Sequence, residues 1–241
     1  YDKSYFINEN PKGGYTNYFE GMRINRKTFS DRLNKIEKKL GKKGKLLDVG
    51  CALGDCLLEA KKLGWREARG IEVSRYAYEF AKKRRLNVKE GTLNGNSYPP
   101  NSFDVVTYQD VIEHIADPVA QLRKIYKILK PGGIIFMVTP DIRGFWSKFL
   151  GPLWYHYKPH EHLVYFSQKS IRKALRQASF TNIETRKTYH VLSLEYILNR
   201  LRYYFPSFFE LMLKIIRKTP FKNIAFRAYT GELEAWGLKP A

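Results

Sequence analysis

The sequence predicts an α/β fold: a Rossmann-like, doubly wound and mostly parallel sheet of seven strands with helices on both faces. The main observation is that short apolar runs alternate with segments of helical periodicity between residues 45 and 140, as in proteins built from strand–helix–strand units. Composition is the second observation, because 44% of the 241 residues are apolar, which is enough to form a core. At this length a single domain is the simplest arrangement.

The first part of the chain contains five predicted strands. Apolar positions between Arg23 and Leu40 recur with helical spacing and predict a helix that precedes the sheet. Ser74 and Asp117 stand where the N-caps of later helices are expected. The predicted strands are 45–49, 68–73, 87–91, 103–108 and 134–139, and the predicted helices between them are 55–63, 75–85 and 117–129.

The pattern changes after Pro140. Residues 141–166 are rich in aromatic side chains and have no clear period, whereas residues 168–178 have helical spacing. Residues 191–222 are apolar and basic, with helical spacing interrupted at Pro206, and they predict a helical insertion near the C-terminus. The two last strands are predicted at 182–189 and 231–238.

The charge balance is strongly basic. The 43 Lys and Arg residues exceed the 23 Asp and Glu residues and give a formal net charge of +20. Such a charge suits nucleic acid, an anionic membrane surface or an acidic substrate, and equally a merely soluble surface. The basic residues are spread over short runs, which weakens the case for nucleic acid. Only two cysteines are present, and no apolar run reaches the roughly 18 to 20 residues of a membrane span, so we expect a cytoplasmic protein.

The stretch LLDVGCALGD, residues 46–55, joins the first strand to the following helix. Small residues in such a turn let a ligand approach the backbone, and this position is the usual ligand site of a parallel sheet. The stretch lacks the lysine of a P-loop, and its G-x-A-x-G spacing differs from the G-x-G-x-x-G of dinucleotide sites. Because Asp55 would repel a pyrophosphate, the loop favours a ligand that has no phosphate and carries positive charge.

A second acidic residue favours a nucleoside ligand. Glu72 ends the second predicted strand, 22 residues after Gly50, where a carboxylate accepts hydrogen bonds from the hydroxyls of a ribose. The combination suits an adenosine that is joined to a cationic group.

Four motifs in this order resemble the class I S-adenosylmethionine-dependent methyltransferases. They are LLDVGCALGD, GIEVS, FDVVTYQDVIEH and LKPGGIIFMVTP, and they cover about residues 45–141. The resemblance implies S-adenosylmethionine as the methyl donor, with Asp48 and the loop beside its methionine moiety, Glu72 on the ribose and Val73 beside the adenine. The implied donor site comprises Asp48, Gly50, Cys51, Ala52, Gly54, Asp55, Glu72, Val73, Gly91, Thr92, Leu93, Tyr108, Gln109 and Val111.

Two positions depart from the family pattern. Ala52 stands where relatives more often have glycine, so its methyl group is expected to narrow the loop. Thr92 stands where many relatives have an aspartate, which leaves the contact to the adenine amino group open. In the aromatic arm that precedes the first helix, Tyr15 is a candidate to close over the donor, since a tyrosine face attracts a sulfonium. Packing of that arm on the sheet is the alternative.

The segment after the fourth strand carries candidate catalytic and metal-binding residues. Asp110, Glu113 and His114 fall on one face of a helical turn, and His162 follows in a later loop. Ubiquinone-pathway O-methyltransferases and small-RNA 2′-O-methyltransferases look similar at these four positions. Three roles stay open: a site for a divalent metal ion, hydrogen bonds that merely order the loop, and a general base at His114 or His162.

The resemblance also suggests how the chain is divided. Four segments are expected: an arm and helix that cover the cofactor site (1–44), the methyltransferase core (45–190, with a lid at 141–166), the helical insertion (191–222) and the final strand (223–241). Within the insertion, residues 192–218 are a candidate for contact with a membrane surface. The alternatives for these residues are a lid or dimer contact and RNA binding.

We therefore expect an S-adenosylmethionine-dependent enzyme. The expected reaction is O-methylation of a small-molecule, sugar or lipid-linked acceptor. An RNA 2′-O-methyltransferase and a non-enzymatic module that binds S-adenosylmethionine are the alternatives. Retention of RNA that falls as salt rises distinguishes the first alternative, and failure to bind S-adenosylmethionine would leave only a non-enzymatic binding module that kept the fold.

Overall fold

The computed structural model describes Phe6, residues 18–202 and residues 204–241, without the side chains of 18–25 and 223. Its helices are α1 Tyr18–Leu40, α2 Asp55–Lys62, α3 Arg75–Lys83, α4 Pro118–Ile128, α5 Phe145–Leu150, α6 Gln168–Gln177, α7 Leu194–Leu201 and α8 Pro206–Ile216. Its strands are β1 Lys45–Val49, β2 Glu67–Glu72, β3 Asn87–Glu90, β4 Phe103–Gln109, β5 Leu129–Pro140, β6 Thr181–Lys187, β7 His190–Ser193, β8 Ala225–Ala228 and β9 Glu232–Leu238. Short 3₁₀ turns occupy Ile112–His114, Gly151–Leu153 and Pro220–Asn223.

Seven strands form the central sheet in the order β3-β2-β1-β4-β5-β9-β6. The first five run parallel, whereas β9 is antiparallel to both β5 and β6. The strand order reverses between β1 and β4, so the carboxyl ends of these two strands flank a crevice. The predicted seven-stranded, mostly parallel sheet is confirmed.

Neighbouring residues of a strand pack on opposite faces of this sheet. Leu46 contributes to a core beneath α1 and α2, whereas Leu47 contributes to a core beneath α4 and α6. Because both faces are covered, the central strands are apolar without alternation. Trp236 of β9 is fully buried beside Phe136 of β5, so the C-terminal strand is part of the same core.

Strand β5 extends further than the sequence indicates. The run Pro131-Gly132-Gly133 predicts a break before a strand at 134–139, but β5 begins at Leu129, which already pairs with Phe103. The pairing register shifts between Phe103 and Val105, so the run is accommodated as an irregularity within the ladder.

The insertion between β6 and β9 is not helical throughout. It begins with β7 and closes with β8, which pair in a separate antiparallel sheet of two strands. The N–H of Val191 donates to Thr28 Oγ1 at 2.8 Å, which joins the insertion to α1. Among the described residues, no helix combines the length and the apolar character that crossing a membrane requires.

Gly70 of β2 provides a test of the packing between β2 and the loop after β1. A Cβ atom at Gly70 would lie 2.5 Å from Cys51 Sγ and 2.8 Å from Leu57 Cδ1. Gly70→Ala should therefore lower the free energy of unfolding by about 1–3 kcal/mol, as overpacking does in other cores. Urea unfolding measures this value. Gly95→Ala is the control, since the nearest atom to a Cβ there is 3.9 Å away, and equal effects at the two sites would contradict the packing described.

Candidate active site

A cavity of about 290 Å³ opens at the carboxyl ends of β1, β2 and β4. Its walls come from the loop after β1, the end of β2, the turn after β3 and the segment after β4. The structure thus brings residues from four separate connections to one space. The predicted donor-site residues that line it are Gly50, Ala52, Glu72, Val73, Gly91, Thr92, Leu93, Tyr108, Gln109 and Val111.

The loop after β1 presents bare backbone to this cavity. Gly50 has a φ of +74°, and a Cβ atom there would lie 2.4 Å from Val111 Cγ2, so a larger residue would displace Val111. Ala52 has a φ of +47°, a region that costs a non-glycine residue about 1–2 kcal/mol. The N–H groups of Gly50 and Cys51 donate to the Ile71 carbonyl at 2.8 and 3.1 Å, which fixes the loop on β2.

Glu72 joins this loop to the start of α3. Its side chain is buried; Oε2 accepts the N–H of Ala52 and Oε1 accepts the N–H of Ser74, both at 2.7 Å. Burial raises the pKa of Glu72, and the two N–H groups oppose that shift because they stabilise the charged form. Each carboxylate oxygen has a second acceptor position, so Glu72 retains capacity for ligand hydroxyls while it holds the loop.

Asp48, the other carboxylate predicted to clasp the donor, does not line the cavity. It lies on β1 beneath the loop, where its Oδ1 accepts the Thr107 hydroxyl of β4 at 2.5 Å. Burial raises the pKa of Asp48 from 3.8 to about 6, and the hydrogen bond from Thr107 opposes part of that shift. The sequence places Asp48 correctly at the strand end, but its carboxylate supports the loop from below because Thr107 engages it.

Cys51, Gly54 and Asp55 also lie behind the loop rather than in the cavity wall. Asp55 begins α2 and is paired with Arg84 Nη2 at 2.8 Å and with Arg26 Nε at 3.4 Å. Its charge is thus compensated within the protein. Asp55 therefore gives no reason to expect a positively charged ligand without phosphate. That expectation depends instead on Glu72 and on the absence of a lysine from the loop.

Apolar side chains supply much of the remaining wall. Phe6 is among them: it is buried, lines the cavity and packs 5.9 Å from the ring of Tyr76. Tyr15, the sequence candidate for closing the site, lies outside the described residues. The apolar wall of the cavity suits the flat face of a base. The other apolar wall residues include Val73, Leu93, Val111 and Ile115.

Glu113, His114 and His162 meet beside the cavity. Their potential ligand atoms all lie within 4.8 Å of one another, and the two imidazole centroids are 4.9 Å apart. His114 lines the cavity, and its Nδ1 lies 2.7 Å from the Glu161 carbonyl. Since a carbonyl only accepts, Nδ1 carries the proton, and Nε2 is the acceptor nitrogen of the neutral ring. Burial lowers the pKa of His114, which favours this neutral form.

The other two members of the group are buried. Burial, reinforced by the nearby His114, lowers the pKa of His162 to about 3, and His162 Nδ1 has no hydrogen-bond partner among the described residues. Burial raises the pKa of Glu113 to about 8, while its Oε2 accepts the Thr139 hydroxyl at 3.0 Å. The group is therefore largely uncharged near neutral pH.

Asp110 does not join the other three predicted metal ligands. Its φ is +54°, and its carboxyl group is hydrogen-bonded to Glu232 of β9. Burial and the charge of Glu232 raise the pKa of Asp110. Burial also acts to raise the pKa of Glu232, but His190 outweighs it and holds that pKa well below its usual range. The predicted set of four is thus reduced to three, because the left-handed turn at Asp110 leads its side chain towards β9.

A buried arginine completes this second polar group. Arg32 of α1 donates from Nη1 to Gln109 Oε1 at 2.8 Å, and its Nη2 lies 3.1 Å from His190 Nε2. His190 in turn contacts the Glu232 carboxylate. These contacts connect α1, the end of β4, β7 and the start of β9 on the side of the cavity where Asp110 lies.

Comparison with family models decides the assignment. A model described as a methyltransferase domain matches residues 21–185, well over half of the chain. The chain belongs to the methyltransferase-domain family. The resemblance to class I S-adenosylmethionine-dependent methyltransferases is thereby confirmed.

Curated relatives of this methyltransferase domain carry the name ubiquinone biosynthesis O-methyltransferase. The protein from Pseudomonas savastanoi pv. phaseolicola is 33% identical over 116 residues, which are 45% of this chain and 50% of the relative. The protein from Proteus mirabilis is 32% identical over 119 residues, 45% of this chain and 47% of the relative. The chain thus spans about half the length of the relatives it matches.

Solved structures share the fold over most of the chain. An S-adenosylmethionine-dependent methyltransferase from Thermotoga maritima has a TM-score of 0.61 and 20% identity, covering 97% of this chain and 96% of its own. One from Archaeoglobus fulgidus has a TM-score of 0.62 and 16% identity, covering 93% of this chain and 100% of its own. Phosphoethanolamine N-methyltransferase 2 of Haemonchus contortus, in complex with S-adenosylmethionine, has a TM-score of 0.59 and 19% identity, covering 94% and 58%.

Sequence reasoning missed several residues in and around the cavity. Gln121 of α4 lines the cavity, and Arg32 of α1 holds Gln109. Both are buried polar residues within otherwise apolar helix faces. A polar residue in such a face is the feature of the sequence that could have identified them. Glu232 had no such signal, because its role depends on Asp110. Further cavity residues outside the prediction are Phe6, Val49, Ile71, Asn94 and Ile115.

Replacing Asp48 with Asn should remove a pH-dependent cost of folding. The pKa of about 6 in the folded state lies above the reference value of 3.8. The stability that protonated Asp48 contributes is therefore fully present below about pH 4 and is lost as the pH rises through about 6. Relative to the native chain, Asp48→Asn should gain up to about 3 kcal/mol in unfolding free energy between about pH 4 and pH 7.

Urea unfolding across this pH range measures the Asp48 effect. The variant keeps an Oδ1 acceptor for Thr107, so the hydrogen bond survives. Asp117→Asn, at an exposed N-cap, is the matched control. A difference between Asp48→Asn and the native chain that is independent of pH would show that Asp48 titrates alike in the folded and unfolded states.

Proposed function

We propose that the protein transfers the methyl group of S-adenosylmethionine to a hydroxyl group of a small-molecule, sugar or lipid-linked acceptor. The observation that carries this proposal is the cavity itself, which places Glu72 on one wall and His114 on another. Glu72 supplies an acceptor for a nucleoside, and His114 supplies a proton acceptor for the reaction. Membership of the methyltransferase family supports the donor.

The cavity has the features that an adenosyl sulfonium requires. Glu72 faces it with carboxylate oxygens that have spare acceptor positions. The loop at 50–54 contains no lysine, so it has no cation to pair with a phosphate. Apolar side chains at Val73 and Leu93 offer surfaces for the adenine. The residues present therefore fit S-adenosylmethionine, with Glu72 on the ribose.

His114 is suited to accept the proton of an attacking hydroxyl. In the reaction an oxygen lone pair attacks the methyl carbon, the carbon–sulfur bond breaks towards sulfur, and the hydroxyl proton passes to His114 Nε2. The Glu161 carbonyl fixes the tautomer in which Nε2 is the acceptor. The cavity supplies alignment of the two reactants, which contributes most in a transfer from an already reactive donor.

Oxygen is favoured as the accepting atom by the names of the relatives. The matched proteins are ubiquinone biosynthesis O-methyltransferases. The choice among small-molecule, sugar and lipid-linked acceptors belongs to this proposal. So do a cytoplasmic location and contact of residues 192–218 with a membrane surface.

A divalent metal ion is the second candidate for the group beside His114. The observation that favours it is the set of donor atoms within 4.8 Å, one of which, His162 Nδ1, is buried without a partner among the described residues. Glu113, His114 and His162 would hold the ion, which would polarise the acceptor oxygen when bound. This set, of one carboxylate and two imidazoles, fits a transition-metal ion.

Glu72 should set the affinity for the donor. Glu72→Ala removes the ribose acceptor together with the anchor of Ala52, so calorimetry should show S-adenosylmethionine binding weakened by about 1–3 kcal/mol. Glu79→Gln, an exposed acid on α3, should leave binding unchanged.

A second ligand separates the direct contact of Glu72 from its effect on the loop. The native protein should bind S-adenosylhomocysteine about tenfold more tightly than the 2′-deoxy analogue, whereas Glu72→Ala should bind the two alike. An equal preference in both proteins would mean that Glu72 does not touch the ribose.

A labelled donor tests the acceptor class. Tritium from methyl-labelled S-adenosylmethionine should enter the small-molecule or lipid fraction of a cell extract rather than RNA, and Glu72→Ala should abolish most incorporation. Predominant labelling of RNA would establish the competing 2′-O-methyltransferase function. Failure of the native protein to bind the donor would overturn the proposal as a whole.

The same assay distinguishes a base from a metal ion. If His114 acts as the base, dialysis against EDTA should leave incorporation unchanged, and His114→Asn should lower kcat by about 10²–10⁴ with donor affinity retained. His160→Asn is the control, because His160 is an exposed histidine of the predicted lid. Loss of activity on dialysis, with recovery on adding Mn²⁺ or Zn²⁺, would favour the metal ion instead.

A further inference from the structure

Helix α8 exposes an apolar face. Phe205, Phe208, Leu211 and Ile215 recur at helical spacing and are 67%, 61%, 60% and 58% exposed. We name these four residues the α8 face. Leu213 is the only residue of this 11-residue helix that is buried, among those described. An apolar helix with so little buried surface is unusual in a protein that meets water alone.

Further apolar side chains adjoin this face. Tyr204, next to Phe205, donates from its hydroxyl to the Leu153 carbonyl at 2.8 Å, and Leu153 is itself 59% exposed. Of the fourteen large apolar side chains that are exposed among the described residues, ten lie within 145–153 and 205–226. The exposed apolar surface is therefore concentrated on two segments that touch each other.

The surroundings of the α8 face are basic. Residues 194–228 contain seven Lys or Arg and two Glu. Both glutamates are already paired, Glu195 with Arg217 at 2.7 Å and Glu210 with Arg202 at 3.3 Å. The cations beyond these pairs include Lys214, Lys218 and Lys222 at the C-terminal end of α8 and in the turn that follows.

We propose that the α8 face binds the surface of an anionic lipid bilayer. Apolar side chains from one face of the helix would enter the boundary between headgroups and acyl chains, while the lysines contact anionic headgroups. Charge complementarity selects this occupant, because a second copy of the chain docked through the same face would bring two net positive surfaces together.

Lipid also suits the side chains better than RNA does. Leu211 and Ile215 make up half of the α8 face and offer no ring on which a base stacks, and base stacking is what holds single-stranded nucleic acid. Aliphatic side chains gain most from burial in hydrocarbon. The inference does not depend on the proposed methyl transfer, since lipid binding is measured without donor or acceptor.

Vesicle flotation tests this proposal. The full chain should float with vesicles of phosphatidylcholine containing about 30% phosphatidylglycerol, and its partitioning into pure phosphatidylcholine vesicles should be at least tenfold weaker, because the headgroup charge is missing. Binding to the anionic vesicles should weaken as salt is raised, since the lysines lie at the surface.

Two sets of substitutions separate the apolar and the basic contributions. Phe208→Ser combined with Ile215→Ser should reduce partitioning at least tenfold, because two inserted side chains are lost. Lys214→Gln, Lys218→Gln and Lys222→Gln combined in one variant should reduce it by about fivefold per lysine. The matched control removes the same charge from α2 and α3, through Lys61→Gln, Lys82→Gln and Lys83→Gln, and should change partitioning far less.

Circular dichroism and calorimetry with S-adenosylmethionine confirm that each variant is folded, and donor affinity should be unchanged in all of them. Three results would overturn the proposal: no flotation with either vesicle, equal loss in the control triple variant, and a native dimer that the α8 substitutions dissociate. RNA that competes with the vesicles and binds through the same lysines, with no effect of Phe208→Ser and Ile215→Ser, would assign the surface to nucleic acid.

Discussion

The cavity depends on one buried carboxylate that accepts two backbone N–H groups. Glu72 holds Ala52 in the loop after β1 with one oxygen and Ser74 at the start of α3 with the other. Charge-assisted hydrogen bonds of this kind are about twice as strong as neutral ones, and here they offset the backbone strain of Ala52 at φ +47°. Glu72 thus fixes the shape of the cavity wall, and its carboxylate oxygens keep spare acceptor positions at that wall.

A second polar group adjoins the cavity and gathers residues from four distant segments. Asp110 comes directly after the end of β4, and Glu232 comes from β9. His190 comes from β7 and Arg32 from α1. Burying such groups costs several kcal/mol per charge unless each finds a partner, so their contacts hold α1 and the insertion in place against the sheet. The strained φ of Asp110 is typical of sites where backbone geometry serves a ligand.

The acidic residues in and around the cavity differ in how well the sequence predicts their contacts. Glu72 is predictable because a strand ends there and its partners, Ala52 and Ser74, belong to adjoining connections. The orientation of Asp48 is not, because it depends on Thr107, 59 residues further along the chain. Asp110 escapes prediction for another reason: a helical turn is the natural reading of DVIEH, whereas the backbone at Asp110 is left-handed and only Ile112–His114 form a turn.

The same distinction applies to the fold. Strands β1, β4 and β5 contain apolar runs next to glycines or helix caps, so local sequence predicts them, and their alternation with helices predicts a mostly parallel sheet. Strands β7 and β8 have four residues each and pair only with one another, so nothing in the local pattern distinguishes them from the ends of helices. Their pairing is a long-range contact, and it is what closes the insertion on itself.

The positions of the insertion and the lid give the two proposals a common geometry. Leu163 of the predicted lid (141–166) is 62% exposed and lines a second recess that shares His114 with the cavity. The lid also contacts the insertion, through Leu153 and Tyr204. If α8 rests on a bilayer, the hydrogen bond from Tyr204 to Leu153 joins that surface to the segment that carries Leu163, which shares a recess with His114. Lipid binding by α8 would therefore itself favour a lipid-linked acceptor over a free sugar.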